Sequence, residues 1–240
     1  MTVFQSFTGD FAKRTITMFG DFSVDTTPFS TGTSTTGDVA SVSNTNNPTT
    51  YKGSYGVLSL TTPTAVAVAE HRYCGVYMAA PVAAGVTVDK QYFAGRGTLD
   101  MSARMWKTTA TVDHMITFGL SSFDHSTSTV PSTDFAGFYA HGNDGFWRMA
   151  VVNNGVASTF NTSVVYDPSI PATLRVFIDD AAENTSFYIN GKHIKTIRVP
   201  LRKTIGMVPL IEVKDLVATG ALIASIVSID YLMIQQDTKR

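Results

Sequence analysis

Two residues in the last third of the chain, Asn190 and Gly191, constrain the fold most strongly. They stand between two runs rich in β-branched and aromatic residues, which is typical of a hairpin with a two-residue turn of type I′. Such a turn needs positive φ at both positions, and asparagine and glycine adopt positive φ at the lowest steric cost. The turn predicts a hairpin over 185–197, and its register predicts two cross-strand pairs, Phe187 with Ile194 and Tyr188 with His193.

The segment before this hairpin alternates between apolar and polar residues, as a strand with one buried face does. Leu174, Val176 and Ile178 would share that face. From Thr98 onwards the chain contains eight or more such segments, separated by turn residues, and it shows no convincing helical period. An all-β sandwich of two antiparallel sheets is therefore predicted. A chain of 240 residues is long for one ordinary domain but normal for one large sandwich.

Composition limits the partners of such a domain. Charged residues make up 15% of the chain and the formal net charge is −1, so no basic field attracts nucleic acid. The apolar segment 216–234 is interrupted by glycine, serine and aspartate, and we interpret it as a turn plus a strand. Neither a nucleic-acid partner, a membrane span nor a secretory signal is predicted. The single cysteine excludes an intrachain disulfide.

Residues 1–20 form an aromatic-rich arm ahead of the predicted sandwich, which occupies residues 21–240. The rings in this arm must be buried somewhere, and two alternatives remain open. The arm either docks on its own sandwich or inserts into a neighbouring subunit. The residues predicted to make the attachment are Phe4, Phe7, Phe11 and Phe19.

Ten short motifs follow one another in a specific order and spacing from about residue 20 to residue 236. They are Gly20–Ser23, Gly56–Leu60, Leu99–Met105, Phe118–Leu120, Gly137–Phe138, Trp147, Val152–Gly155, Thr173–Asp179, Ser186–Gly191 and Ser228–Leu232. Each motif alone is generic for a β-sandwich. Together they resemble the concanavalin A-like lectin/glucanase superfamily, and the resemblance implies a jelly roll of two curved antiparallel sheets.

The resemblance also implies a function, because many domains of this kind are structural parts of tailed-bacteriophage virions. We therefore expect a non-enzymatic capsid decoration or fibre protein, attached through its arm and assembled into the virion in the host cytoplasm. The expected partner is the major capsid protein or another virion protein. Self-association into a homo-oligomer, with a trimer as the expected form, would bury surface that the arm leaves uncovered.

Catalysis is not expected. Glucanases of this superfamily use a strand bearing Glu-x-Asp-x-Glu, because the nucleophile and the acid must project from one face about 5 Å apart. This chain has three glutamates, Glu70, Glu183 and Glu212, which are far apart in sequence. Asp179 and Asp180 are adjacent, so on a strand they would point to opposite faces. A glycoside hydrolase with an unusual acid pair ranks last among the functions considered.

The resemblance further implies a structural Ca²⁺ site, although no cofactor is expected to be required. Members of the superfamily often hold Ca²⁺ between the first and last strands through oxygen ligands, and Asp21 and Asp230 match those positions. The alternative is that both carboxylates accept backbone hydrogen bonds or cap turns.

Sugar binding is the alternative function, as a carbohydrate-binding module of a phage tail fibre or as a lectin. It needs an aromatic platform with polar neighbours, and the candidates are Trp106, Tyr139 and Tyr188. Trp106 alternates away from the apolar face of its strand and is the best of them. Trp147 shares the parity of Met149 and Val151 and is predicted to belong to the core instead.

Overall fold

The computed structural model describes residues 13–20, 30–33, 39–43, 57–61, 72–77, 92–107, 114–122, 133–141, 145–166, 170–215 and 226–239. The described residues form strands and contain no helix. In chain order the strands are β1 (Lys13–Gly20), β2 (Ser30–Thr33), β3 (Val39–Ser43), β4 (Val57–Thr61), β5 (Arg72–Tyr77), β6 (Tyr92–Phe93), β7 (Leu99–Lys107), β8 (His114–Ser121), β9 (Phe135–His141), β10 (Phe146–Asn153), β11 (Val156–Val165), β12 (Ala172–Ile178), β13 (Thr185–Ile189), β14 (Lys192–Ile197), β15 (Gly206–Asp215) and β16 (Ile226–Lys239).

These strands form two eight-stranded sheets. Sheet A has the order β14-β13-β12-β7-β16-β4-β3, and β1 also pairs with β16. Sheet B has the order β11-β10-β9-β8-β15-β5-β2, and β6 also pairs with β15. Every pairing is antiparallel. The predicted all-β fold of two antiparallel sheets is confirmed.

The core lies between the two sheets and takes alternate residues from the strands of both. β12 buries every second residue, as its sequence predicts. Phe138 of sheet B and Phe187 of sheet A meet edge to face, with ring centroids 5.2 Å apart, so this contact joins the two layers. Trp147 is 2% exposed and packs in the same core, which confirms its predicted place.

The predicted hairpin is β13–β14. Asn190 and Gly191 have φ values of 51° and 77°, as a type I′ turn requires. Tyr188 lies opposite His193, as predicted, but Phe187 lies opposite Lys195, so the predicted pairing of Phe187 with Ile194 is wrong. The register shifts between Phe187 and Tyr188 because β14 contains one extra residue, a β-bulge. The bulge lets Ile194 pack against the core.

Sheet B is buried on its outer side as well. A second apolar cluster there consists of Met115, Phe135, Tyr139, Ala150 and Val152, each at most 4% exposed. Gly119 of β8 and Gly137 of β9 are direct cross-strand partners. A Cβ atom on Gly137 would lie 2.5 Å from Phe135 Cζ, so the aromatic ring occupies the space above this glycine pair. The outer face of sheet B therefore needs glycine at these two positions.

Asp134, directly before β9, connects three chain segments at one end of the sandwich. It is 1% exposed and accepts hydrogen bonds from Arg202 Nε at 2.9 Å and from the Asn154 backbone N–H at 3.3 Å. Asn154 and Gly155 form the β10–β11 turn, with φ values of 49° and 80°. The side-chain hydrogen bond to Asp134 raises the pKa of the Arg202 guanidinium.

The last eight residues of the predicted arm form β1, which pairs along its whole length with β16. Of the predicted attachment residues, Phe19 belongs to this strand, and Phe4, Phe7 and Phe11 lie outside the described residues. Residues 226–234 belong to β16, the strand predicted for that segment, while 216–225 lie outside the described residues. No helix long and apolar enough to cross a membrane occurs in the described part of the chain.

Candidate functional site

The outer face of sheet A is dominated by Arg175. Its guanidinium donates two hydrogen bonds to Asp100, at 2.8 Å and 2.6 Å, and its Cζ lies 5.0 Å from the centre of the Tyr188 ring. The side-chain hydrogen bond to Asp100 raises the pKa of Arg175. His193 meets the same tyrosine edge to face, with ring centroids 5.2 Å apart. Tyr188, one predicted sugar platform, is thus already engaged by a cation and by a second ring.

Asp230, one of the two predicted Ca²⁺ ligands, accepts a hydrogen bond from Arg104 Nη1 at 3.0 Å. Its predicted partner Asp21 lies outside the described residues. Ca²⁺ takes six to eight oxygen ligands, and a guanidinium beside the carboxylate already supplies the positive charge. No group of three or more His, Cys, Asp or Glu side chains able to hold a metal occurs in the described ranges. Because Asp21 lies outside the described residues, the Ca²⁺ site stays a prediction, and the described partner of Asp230 is Arg104.

Tyr139, the second predicted platform, lies on the outer face of sheet B in a row of polar residues. Register places Glu212, Thr117, Tyr139 and Arg148 side by side across four neighbouring strands. Tyr139 is 4% exposed, and the Arg148 guanidinium lies 6.0 Å from the centre of its ring. Because Thr117 and Glu212 are also buried, this row offers no open platform to a ligand in the described structure.

Trp106, the third predicted platform, lies at the end of the sandwich where the two sheets separate. A cavity of about 430 Å³ opens there, which we call the rim pocket. Its described lining residues are Met105, Trp106, Trp147, Val164, Val165, Tyr166, Ile170, Pro171, Ala172 and Asn190. The lining is apolar except for the tyrosine hydroxyl, the indole N–H groups and one amide, so the pocket suits an uncharged occupant.

Three aromatic side chains line the rim pocket, those of Trp106, Trp147 and Tyr166. Trp147 and Tyr166 meet edge to face, with ring centroids 5.0 Å apart, and burial raises the pKa of the Tyr166 hydroxyl. Asn190 comes from the hairpin turn, and its Oδ1 accepts a hydrogen bond from the Thr173 backbone N–H at 2.8 Å. This bond fixes the orientation of the amide at the pocket and points its Nδ2 donor away from Thr173.

The mouth of the rim pocket is apolar and exposed. Val165 and Ile170 line the pocket and are 61% and 60% exposed. Phe146 is 43% exposed and is the direct cross-strand partner of Val165. Exposed apolar residues scattered singly are ordinary, but a contiguous group at a pocket marks a binding surface. Sequence alternation predicted Trp106 on the outward face of β7, away from Met105, but its side chain is 5% exposed and lines the rim pocket together with Met105.

The three predicted sugar-binding residues are not brought together. Tyr188 is on the outer face of sheet A, Tyr139 is on the outer face of sheet B, and Trp106 is at the rim between the sheets. If a sugar binds this chain, a single site cannot use all three residues. The sugar-binding role of each residue stays a prediction.

No protein-family model matches the sequence, and no curated protein shows a significant match to it. Solved structures do match. The β-glucanase of Bacillus licheniformis is 12% identical with a TM-score of 0.57, covering 93% of this chain and 98% of that one. The endo-1,3-β-glucanase of Streptomyces sioyaensis is 13% identical with a TM-score of 0.58, covering 98% and 100%. The Emp46p carbohydrate-recognition domain, in a potassium-bound form, is 10% identical with a TM-score of 0.53, covering 86% and 87%.

These likenesses show the fold of this chain, a concanavalin A-like jelly roll shared by glucanases and carbohydrate-recognition domains. The fold alone does not decide between catalysis, sugar binding and a structural role, because function depends on the side chains of a site. In this chain no two carboxylates stand two positions apart, so the Glu-x-Asp-x-Glu strand of the glucanases is absent from the sequence.

Proposed function

We propose that this protein is a non-enzymatic structural protein of a virion, a capsid decoration or fibre protein on the capsid exterior. The observation that carries the proposal is that the described carboxylates on the two outer sheet faces do not form an open acid pair. The outer face of sheet B is buried, and Asp100 and Asp230 on the outer face of sheet A are paired with Arg175 and Arg104. The lack of an open acid pair among the described residues suits a scaffold, and the resemblance to virion proteins supplies the setting.

The arrangement of the described carboxylates supports a role without catalysis. A retaining glycosidase needs two carboxyl groups about 5 Å apart and facing one substrate. Asp100, Asp134 and Asp230 each have an arginine of their own. Asp179 accepts hydrogen bonds from the Glu183 and Asn184 backbone N–H groups, at 2.8 Å and 3.2 Å, in the β12–β13 loop. These four carboxylates are engaged in separate structural contacts.

Attachment in this proposal is the task of the arm, and its partner is the major capsid protein or another virion protein. Because residues 13–20 are a strand of sheet A, the part available for an external partner is 1–12. Assembly takes place in the host cytoplasm, and the protein is located on the finished virion. Self-association of the sandwich accompanies attachment in this view.

Removing residues 1–12 should abolish attachment to undecorated capsids and leave the sandwich folded, because β1 and its pairing with β16 remain. The measurement is co-sedimentation of purified protein with capsids, together with thermal unfolding of the free chain. A full-length variant with Phe4, Phe7 and Phe11 changed to serine is the matched control for arm length, and it should also fail to attach. A chain lacking residues 1–12 that still decorates capsids fully would show that the arm does not attach the protein.

Sugar binding is the second candidate, and the rim pocket is the observation that favours it. Trp106 and Tyr166 supply aromatic surface there, and Asn190 supplies a fixed amide. A glycan array with the wild-type chain, Trp106→Ala and Tyr188→Ala tests this candidate. Loss of binding in Trp106→Ala alone would support a sugar site at the rim pocket, and loss in Tyr188→Ala alone would move the site to sheet A. Absence of binding to every sugar would reject the candidate.

A further inference from the structure

The rim pocket takes its walls from both sheets. Met105, Trp106 and Ala172 come from β7 and β12 of sheet A, while Trp147 and Val164 come from β10 and β11 of sheet B. The two tryptophans, the methionine and the alanine are each at most 8% exposed. Three of these lining residues, Met105, Trp147 and Ala172, also belong to the main core cluster. The rim pocket is therefore a recess of the inter-sheet core that opens at the end of the sandwich.

A bulge in β11 directs successive side chains to this pocket. The register between β10 and β11 shifts opposite Trp147, because β11 contains extra residues there. Thr162 holds the bulge, since its Oγ1 donates a hydrogen bond to the Trp147 carbonyl at 2.5 Å. Val164, Val165 and Tyr166 then all line the pocket, although successive residues of a regular strand point to opposite faces. Bulges that re-aim side chains in this way are common beside functional sites.

The walls of the rim pocket are held in place without a ligand. The backbone N–H of Tyr166 donates a hydrogen bond to the Gly145 carbonyl at 2.8 Å, and the tyrosine ring packs edge to face on Trp147. Asn190 is bound twice to Thr173, because its backbone N–H donates to the Thr173 carbonyl at 2.8 Å and its Oδ1 accepts from the Thr173 N–H. A preformed pocket has little to order when a ligand enters, so more of the contact energy appears as affinity.

The size and the charge of the rim pocket define the class of ligand. An apolar cavity of about 150 Å³ holds one benzene ring. The volume of about 430 Å³ therefore has room for two aromatic rings with a short substituent, and one aromatic side chain of a partner protein would leave most of it empty. No charged side chain occurs among the described lining residues, so a charged ligand would lose its hydration without gaining a partner.

An aromatic compound fits this lining better than a sugar does. Each hydroxyl group that is buried without a hydrogen bond costs about 1 to 3 kcal/mol, and a sugar carries several of them. The lining offers three aromatic rings and few polar groups. Because Thr173 already binds Oδ1 of Asn190, the group that Asn190 presents to a ligand is its Nδ2 donor. One hydrogen-bond acceptor on the ligand would match this donor.

We propose that the rim pocket binds an uncharged small molecule that has two aromatic rings and one hydrogen-bond acceptor. This binding activity goes beyond the proposed structural role, and it requires neither a capsid nor the arm. Its test uses the purified full-length chain alone, so failure here and failure of capsid attachment are separate results.

The probe is methyl naphthyl ketone, which has two fused rings and one carbonyl acceptor. The chain contains two tryptophans, Trp106 and Trp147, and both line the rim pocket, so tryptophan fluorescence reports on this site. Titration with the probe should change the tryptophan emission in a saturable way. Isothermal titration calorimetry should give one bound molecule per chain.

Two aspartate variants at opposite ends of β11 locate the binding. Val165→Asp places a carboxylate at the mouth of the pocket and should raise the dissociation constant of the probe at least about tenfold. Val156→Asp is the matched control, because Val156 is exposed as well and is not among the described lining residues. It should leave the dissociation constant within about twofold of the wild-type value. Neither change should lower the unfolding temperature, since both side chains are largely exposed.

Competition with a sugar separates the two possible occupants of the rim pocket. Laminaribiose in large excess should not displace the probe. Displacement by laminaribiose would assign the pocket to sugar binding and overturn the proposal. The proposal is also overturned if the wild-type chain shows no saturable binding, if it binds several probe molecules, or if the two aspartate variants have equal dissociation constants.

Discussion

Replacing Gly137 with alanine should destabilise the sandwich by at least about 3 kcal/mol, the upper part of the range for overpacking a well-packed interior. The added Cβ would lie 2.5 Å from Phe135 Cζ and 2.8 Å from Gly119 Cα, and it would also collide with the Phe118 carbonyl oxygen. Two of these three neighbours are backbone atoms, which cannot move without breaking the β8–β9 pairing. The measurement is the free energy of unfolding from urea titration of the purified variant.

Gly145→Ala is the matched control for this change. Gly145 has positive φ, and an added Cβ would meet nothing within 4 Å, so alanine there costs only the backbone strain of about 1 kcal/mol. Equal losses in the two variants would show that the tight approach of Phe135 to the glycine pair does not exist. A smaller loss of unfolding free energy in Gly137→Ala than in Gly145→Ala would contradict the packing of sheet B described above.

Replacing Asp134 with alanine should cost about 2 to 3 kcal/mol of unfolding free energy, because a buried hydrogen-bonded charge is lost and its partners stay behind. The carboxylate is 1% exposed and receives hydrogen bonds from Arg202 and from the Asn154 backbone N–H. The segment before β9, the β10–β11 turn and the loop that contains Arg202 would lose the residue that connects them. Thermal and urea unfolding of the purified variant measure the effect.

Asp134→Asn separates charge from hydrogen bonding in this anchor. The asparagine can still accept a hydrogen bond from the Asn154 backbone N–H. Asp134→Asn should therefore lose less unfolding free energy than Asp134→Ala. If both variants unfold like the wild-type chain, Asp134 does not connect the three segments. If both variants lose the same unfolding free energy, the ion pair with Arg202 accounts for the whole contribution of Asp134.

The sequence predicts the sandwich well because its signals are local. The Asn190-Gly191 turn needs positive φ, and the structure shows it. The alternation along β12 sets its buried face. The same local reasoning predicts the pairing of Tyr188 with His193 correctly and fails at the next residue, Phe187. The bulge in β14 places Phe187 opposite Lys195 and not opposite Ile194. That bulge depends on how Ile194 meets the core, and no pattern within the hairpin encodes this.

The candidate site is less predictable because it depends on contacts between distant parts of the chain. Tyr139 is predicted as a sugar platform, but no sequence pattern reveals that the outer face of sheet B, where it lies, is buried. Asp230 matches a family metal position, and its partner Arg104 is 126 residues away in sequence. The rim pocket likewise combines the ends of separate strands with one turn residue, Asn190.

The most direct test of a jelly roll without catalytic function is an assay for release of reducing ends from β-glucans, including 1,3-linked and mixed-linkage polymers. We predict that the folded wild-type chain releases none above the same chain after heat denaturation. Release of reducing ends by the folded wild-type chain above the heat-denatured level would contradict this prediction. Loss of that release in a folded Glu212→Gln variant would then assign the acid function to a buried carboxylate of sheet B.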